Sequence, residues 1–251
     1  MSAKISLEEK FRESGGKQPY VRRLFGRIAR IYDLMNFLMS FGLDRRWRAF
    51  AARYLALGSG ELGLDLGAGT ADLSIAVVRR SGPGTRMIGM DITPEMLAEG
   101  RRKIERLGLQ DRIALRVGDA EQIDLPDNSV DGCCSAFVVR NLSDIRQGLR
   151  EMLRVVRPGC RVVCLEISHP PGKIFGSLFH FYFYKLAPLF GTLLGKAFEE
   201  YNYLPHSLTA FPDATALKAI MEEAGLTDVR YYRLNGGIVA VHVGTKPADE
   251  A

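Results

Sequence analysis

Three acidic positions follow three apolar runs in this chain. The first run leads through Asp65 into the turn Leu66-Gly67-Ala68-Gly69-Thr70-Ala71-Asp72, the second ends at Asp91, and the third reaches Asp119-Ala120 through Gly118. Gly67 and Gly69 let backbone approach a ligand closely where a buried strand gives way to a helix. A dinucleotide turn would continue to a third glycine near the position of Asp72. With Asp65 nearby, that carboxylate repels a pyrophosphate and suits the ammonium and sulfonium groups of S-adenosylmethionine. Asp91 stands 24 residues after Gly67, the separation at which an acid on a second strand tip meets ribose hydroxyls in a doubly wound sheet. Asp119, at a third strand tip, is placed to read an adenine edge. Alone, each feature has an ordinary reading as turn glycines, a cap before Pro94 or a solvated loop acid. In register along one chain they point to a cofactor crevice.

The elements that must position these residues alternate as a doubly wound α/β sheet requires. Strands are expected at Leu62 to Leu66, Thr85 to Met90, Ile113 to Val117, Val130 to Val139, Cys160 to Ile167, Val229 to Leu234 and Ile238 to Val243. Helices fit at Asp72 to Arg80, Pro94 to Leu107, Ile145 to Val156 and Asp213 to Ala224, with Pro158-Gly159 and Gly225 punctuating the last two. Asn235-Gly236-Gly237 is too short for a parallel crossover, so the last two strands form an antiparallel hairpin. A seven-stranded sheet ending in such a hairpin is the Rossmann-like architecture of class I S-adenosylmethionine-dependent methyltransferases. The expected organisation is an N-terminal helical cap over 1–54, a methyltransferase domain over 55–246 with an apolar insertion at 173–205, and a frayed tail over 247–251.

The 251 residues, 47% of them hydrophobic, suit one domain with appended elements. The N-terminal stretch is polar and charged, with no cleavable leader pattern, and implies a cytoplasmic protein. Cys133, Cys134, Cys160 and Cys164 lack paired metal spacing and read as reduced core thiols, and the four histidines are scattered, so no metal site is expected. The net charge of +5 is uneven, because residues 1–53 hold twelve Lys and Arg against five Asp and Glu. Such a segment fits an anionic membrane surface or an ordinary solvated helix face. No nucleic-acid-binding motif accompanies it, and none is expected to bind.

Two stretches narrow the family. Phe25-Gly26-Arg27-Ile28-Ala29-Arg30-Ile31-Tyr32-Asp33-Leu34-Met35-Asn36 and Ser40-Phe41-Gly42-Leu43-Asp44-Arg45-Arg46-Trp47-Arg48 resemble the N-terminal signature of the quinol C-methyltransferases of menaquinone and ubiquinone biosynthesis. Val139-Arg140-Asn141-Leu142-Ser143-Asp144, Leu165-Glu166-Ile167-Ser168, Tyr203-Leu204-Pro205-His206-Ser207 and Asn235-Gly236-Gly237-Ile238-Val239-Ala240 are similar to later segments of that family. The resemblance runs from about Tyr20 to Lys246. It implies methylation of a ring carbon on a prenylated quinol, with demethylmenaquinol as the expected acceptor and a polyprenyl methoxybenzoquinol as the sister case. It also implies Thr70, Ala120 and Ala136 as further cofactor-binding positions beside Asp65, Gly67, Gly69, Asp91 and Asp119, and Asn36 and Tyr203 as acceptor-binding ones.

Reduction must precede transfer, because only the quinol places electron density on the carbon ortho to oxygen. A phenol with a pKa of about 10 is only about 0.1% ionised at pH 7, so a neighbouring cation raises the reactive fraction. Arg140 is the first candidate for that cation, with Asn141 orienting it or capping the next helix; the competing reading of Arg140 is a structural ion pair. Tyr32 and Asp33 form a second candidate group with Asn36, since Tyr32 and Asn36 are four apart on one helical face; helix packing is the plain alternative.

The segment from Phe175 to Gly195 is apolar but broken by His180, Lys185 and Pro188, which argues against a transmembrane helix. It fits an amphipathic element at the inner face of a membrane, a lid over a prenyl tail, or a helix buried on the sheet. A homo-oligomer is compatible with the sequence, which does not fix its order. Two positions depart from the family pattern: Ala71 replaces a glycine of the cofactor turn, and Val138 replaces one before Arg140. A methyltransferase of another lipophilic phenol and a non-catalytic assembly partner are the competing functions, and the acidic set with Arg140 disfavours the second.

Overall fold

A computed structural model describes residues 7–172, 203, 207–209 and 211–248. Four helices open the chain, α1 (Leu7–Glu13), α2 (Lys17–Ile28), α3 (Tyr32–Ser40) and α4 (Leu43–Leu55). The alternating part follows as β1 (Leu62–Leu66), α5 (Asp72–Arg80), β2 (Arg86–Asp91), α6 (Pro94–Arg106), β3 (Ile113–Val117), β4 (Val130–Ala136), α7 (Ile145–Val155) and β5 (Val156–Ile167). A further helix, here α8 (Ala214–Glu223), precedes the hairpin strands β6 (Thr227–Leu234) and β7 (Val239–Thr245).

The seven strands form one sheet in the order β3-β2-β1-β4-β5-β7-β6. The first five run parallel, and β7 lies antiparallel between β5 and β6. Strands covered on both faces read as continuous apolar runs whose alternate residues serve opposite layers. Val162 and Cys164 of β5 join Leu149, Met152, Leu217 and Met221 on the α7–α8 side. Val163 and Leu165 join Trp47, Ala51, Leu55, Ile75 and Val78 on the α4–α5 side. α4 is therefore a layer of the sheet, and Trp47 Nε1 also donates to Asn235 Oδ1 of the hairpin turn at 2.6 Å.

Local signals account for most boundaries. Pro94 opens α6 after Thr93, and Asp144 and Asp213 cap α7 and α8 by accepting from the backbone N–H groups of Gln147 and Ala216. The helix cap after Arg140 is thus Asp144, and Asn141 has another task. Two strand limits differ from the sequence expectation by more than two residues. β4 stops at Ala136, because Phe137 takes φ 63° and Val139–Asn141 forms a 3-10 turn, although the apolar run continues through Val139. β5 begins at Val156, four residues early, with Pro158 and Gly159 inside a register shift against β4. Ala71 adopts φ 68°, the left-handed region where a glycine would be unstrained.

Among the described residues no helix is long and apolar enough to cross a membrane. The expected apolar insertion at 173–205 lies outside the described residues except for Tyr203, as does the tail from 249.

Candidate active site

β1 leads to β2 on one side and pairs with β4 on the other, so the C-terminal ends of β1 and β4 open the crevice at which doubly wound sheets bind ligands. A cleft of about 670 Å³ lies there, lined by the Gly67 and Gly69 turn, Asp91 to Thr93, Gly118 to Glu121, and Ala136 to Val138 with Asn141. Helices α2 and α3 close it with Gln18, Val21, Phe25 and Tyr32. Gly67 has φ +63°, and a Cβ there would stand 2.2 Å from Val138 Cγ2. Val138 thus seals the turn as well as narrowing the wall beside Arg140.

The acids divide differently from their order in the sequence. Asp65 is buried beneath the turn, where its carboxylate accepts from Ser74 N at 2.9 Å and Ser74 Oγ at 2.6 Å. Loss of hydration pushes it up to about 7. Asp72 pairs with Lys103 at 2.6 Å, and neither Asp65 nor Asp72 lines the cleft. Its negative charge comes from Asp91, Asp119 and Glu121, and among the described residues no Lys or Arg lines it.

Asp91 at the β2 tip accepts from Gly69 N at 2.9 Å and Thr93 N at 2.8 Å, which fixes its carboxylate at the cleft edge. Burial raises its pKa, and these backbone donors oppose the rise. Asp119 accepts from Glu121 N at 2.9 Å and, from α2, Gln18 Nε2 at 2.6 Å. Thr70 is buried and donates to Asp33 Oδ1 at 2.6 Å, while Lys103 Nζ meets Asp33, Asp72 and Thr70. Asp33 and Thr70 therefore lock α3 to the cofactor turn and do not line the cleft. Tyr32, one residue earlier, does line it.

Arg140 is buried, and its guanidinium pairs with Glu166 of β5 at 2.8 Å. Glu166 also accepts from Arg140 N at 3.3 Å, and burial raises its pKa against the pull of Arg140. The arginine stacks 5.8 Å from the Phe137 ring centroid, and its Nε has no hydrogen-bond partner among the described residues. The ion-pair reading of Arg140 is what the geometry contains, and Arg140 is not itself in the cleft lining. Asn141 is: it donates to Phe137 O at 3.2 Å and accepts from the buried Tyr203 hydroxyl at 3.1 Å. Burial pushes the Tyr203 phenol up to about 12. Asn36 sits on α3 with a buried Nδ2 that has no partner among the described residues, and it does not line the cleft.

Sequence reasoning missed Glu166 as the partner of Arg140, although an acid inside the apolar strand Val162 to Ile167 signals a buried charge that needs one. It also missed Gln18, Glu121 and Lys17, whose Nζ donates to Arg140 O and Leu142 O. Nothing in the local sequence of Gln18 and Lys17 marks them, since they reach this region only through the docking of α2, whereas Glu121 lines the cleft directly from the loop that carries Asp119.

The residues fit S-adenosylmethionine. A glycine turn in which Gly67 admits no Cβ, an acid at each of two strand tips and, among the described residues, a cleft lining without cations match a cationic nucleoside and oppose a pyrophosphate. A family model described as the ubiE/COQ5 methyltransferase family matches residues 13–246. The chain belongs to that family. Among relatives of this ubiE/COQ5 methyltransferase, the "Ubiquinone/menaquinone biosynthesis C-methyltransferase UbiE" of Geobacter sp. (strain M21) is 40% identical over 226 residues, covering 90% of this chain and 96% of the relative. The "Demethylmenaquinone methyltransferase" of Thermus thermophilus is 42% identical over 224 residues, covering 89% and 100%. The solved structure of a SAM-dependent methyltransferase from Aquifex aeolicus has the same fold, with TM-score 0.55 and 21% identity over 76% of this chain and 85% of that one. The chain is thus an S-adenosylmethionine-dependent methyltransferase of class I architecture.

Proposed function

We propose that the protein methylates a ring carbon of a prenylated quinol, converting demethylmenaquinol to menaquinol. The relatives named for ubiquinone/menaquinone biosynthesis and for demethylmenaquinone align along nearly the whole chain and support a quinol acceptor. The observation that carries the reading is the closure of an acid-lined crevice by α2 and α3, which brings Phe25, Tyr32, Phe137 and Asn141 around one space suited to an aromatic ring. When bound, S-adenosylmethionine supplies an electrophilic methyl group.

The chain's own residues then divide the work. We assign Asp91 to the ribose hydroxyls, Asp119 with Ala120 to the adenine edge, and the Gly67–Gly69 backbone to close approach. Ala136, at the end of β4, leaves room between them. On the acceptor side, Tyr32 and Asn141 orient the ring. Arg140, ion-paired with Glu166 and next in sequence to Asn141, biases the ring toward the phenolate from outside the cleft lining, and each tenfold gain in ionised quinol corresponds to about 1.4 kcal/mol. Glu166 is a positioning residue that holds the arginine. Tyr203, with its phenol pushed up to about 12, stays protonated and serves as a donor to Asn141, not as a base. Asp33 and Thr70 hold α3 closed, and closure excludes water from the transfer.

The sister reading is a polyprenyl methoxybenzoquinol acceptor, favoured by the relatives whose names carry both quinones. Expression in a bacterium lacking its own quinol C-methyltransferase, with mass spectrometry of extracted quinones, separates the two. Restored methylnaphthoquinone supports the menaquinol assignment. Methylated benzoquinone alone moves it to the sister acceptor, and neither product rejects quinols.

A further inference from the structure

The side of α3 away from the crevice carries exposed apolar side chains. Leu34, Phe37 and Leu38 are 51%, 43% and 38% exposed, and their spacing of three and four residues puts them on one helix face, with the left-handed C-cap Phe41, 75% exposed, at its end. The other face carries Tyr32 at the cleft and Met35 packed against Ile28. α3 is therefore the wall between the crevice and this surface. Single exposed apolar residues are ordinary, whereas a cluster beside a functional cleft marks an interaction site.

Basic side chains flank the cluster. Arg30 precedes α3, and Arg45 and Arg46 open α4; all three are exposed, and Arg45 Cζ lies 5.5 Å from the Phe37 ring centroid. Asp33 and Asp44 are the acids between Lys17 and Arg53, and they are engaged by Lys103 and Arg48. The local field is positive. A twofold contact with a second copy would set these arginines against their own equivalents, which disfavours self-association through this face. Aliphatic and phenyl side chains bordered by arginines instead match a bilayer interface, where acyl chains meet anionic headgroups.

We infer that the outer face of α3, with Arg30, Arg45 and Arg46 beside it, seats on an anionic lipid bilayer and holds the mouth of the crevice at the membrane surface. The inference deepens the quinol reading, because an acceptor with a prenyl tail would then reach the site without crossing water.

The test is flotation of the full-length protein with vesicles rich in phosphatidylglycerol and with vesicles of phosphatidylcholine alone, at low and raised salt. Wild-type protein should float with the anionic vesicles and release with salt. Leu34→Ser/Leu38→Ser and Arg45→Gln/Arg46→Gln should each lower that partition by about tenfold or more. Both variants should bind S-adenosylmethionine, and methylate a short-chain water-soluble quinol, as the wild type does. If the leucine variant does not fold, the arginine variant alone decides. Wild-type protein that floats with neither vesicle, variants that float unchanged, or a wild-type dimer that the variants split would overturn the inference. Flotation that depends on these residues in a protein that methylates no quinol would uphold the docking face and reject the acceptor.

Discussion

Gly67→Ala isolates the contact on which the cofactor turn depends. The new methyl meets two penalties: φ +63° and a gap of 2.2 Å to Val138 Cγ2, far inside van der Waals contact. The left-handed conformation costs about 1–2 kcal/mol for a residue with a Cβ, and forcing an extra carbon into packed surroundings costs about 1–3 kcal/mol. A loss of about 3 kcal/mol corresponds to a fall of about 6–12 °C in Tm for a chain of this size. Val138→Gly removes the isopropyl group that the methyl strikes and restores the glycine typical of the resembled family. In that background Gly67→Ala should keep the φ penalty and shed the steric one, leaving a coupling of about 1–3 kcal/mol between the positions. Thermal melts of wild type, both single variants and the double variant measure it, with calorimetric titration of S-adenosylmethionine reporting the turn's competence. Equal losses in the two backgrounds would refute the claim that Val138 seals the turn.

Three further outcomes follow from the charges. Folded Asp65 titrates at about 7 while the unfolded carboxyl stays in its ordinary range, so its stabilising contribution is full below about pH 4 and is lost as pH rises through about 7. Asp65→Asn should therefore gain on wild type by an amount on the order of 4 kcal/mol between pH 4 and 8 in urea titrations; a constant difference across that range contradicts the assignment. Glu166→Gln leaves the Arg140 charge buried without its counter-ion, which costs about 3–5 kcal/mol and lowers Tm by about 6–20 °C. A melt within a degree of wild type would mean that the pair is not held as described. Asp91→Asn keeps the shape of the β2 tip and removes its charge, so calorimetry should show S-adenosylmethionine binding weakened by about tenfold or more. Unchanged affinity would remove Asp91 from the cofactor site.

Much of the scaffold was legible because parallel strands and their helices obey local rules. Leu62 to Leu66, Ile113 to Val117 and Asp72 to Arg80 formed where apolar pattern and turn glycines put them. The end of β4 was not legible: Phe137-Val138-Val139 continues an apolar run, and the positive φ of Phe137 leaves no mark in composition. The acids show the same limit. Asp65 and Asp72 flank the glycines in sequence, yet side-chain direction sends one to Ser74 and the other to Lys103, while Asp91 arrives from the β2 tip and Asp119 with Glu121 from the loop after β3. The Arg140–Glu166 pair spans 26 residues from the turn after β4 to β5, and the pairing of β4 with β5 brings them together.

The most direct test of the central claim is an anaerobic assay of labelled methyl transfer from S-adenosylmethionine to matched demethylnaphthoquinol and demethylbenzoquinol, each offered reduced and oxidised. Ring-methylated product is expected from the reduced naphthoquinol and none from either oxidised ring. Transfer to no quinol by protein that binds S-adenosylmethionine, or equal transfer to the oxidised ring, would contradict it.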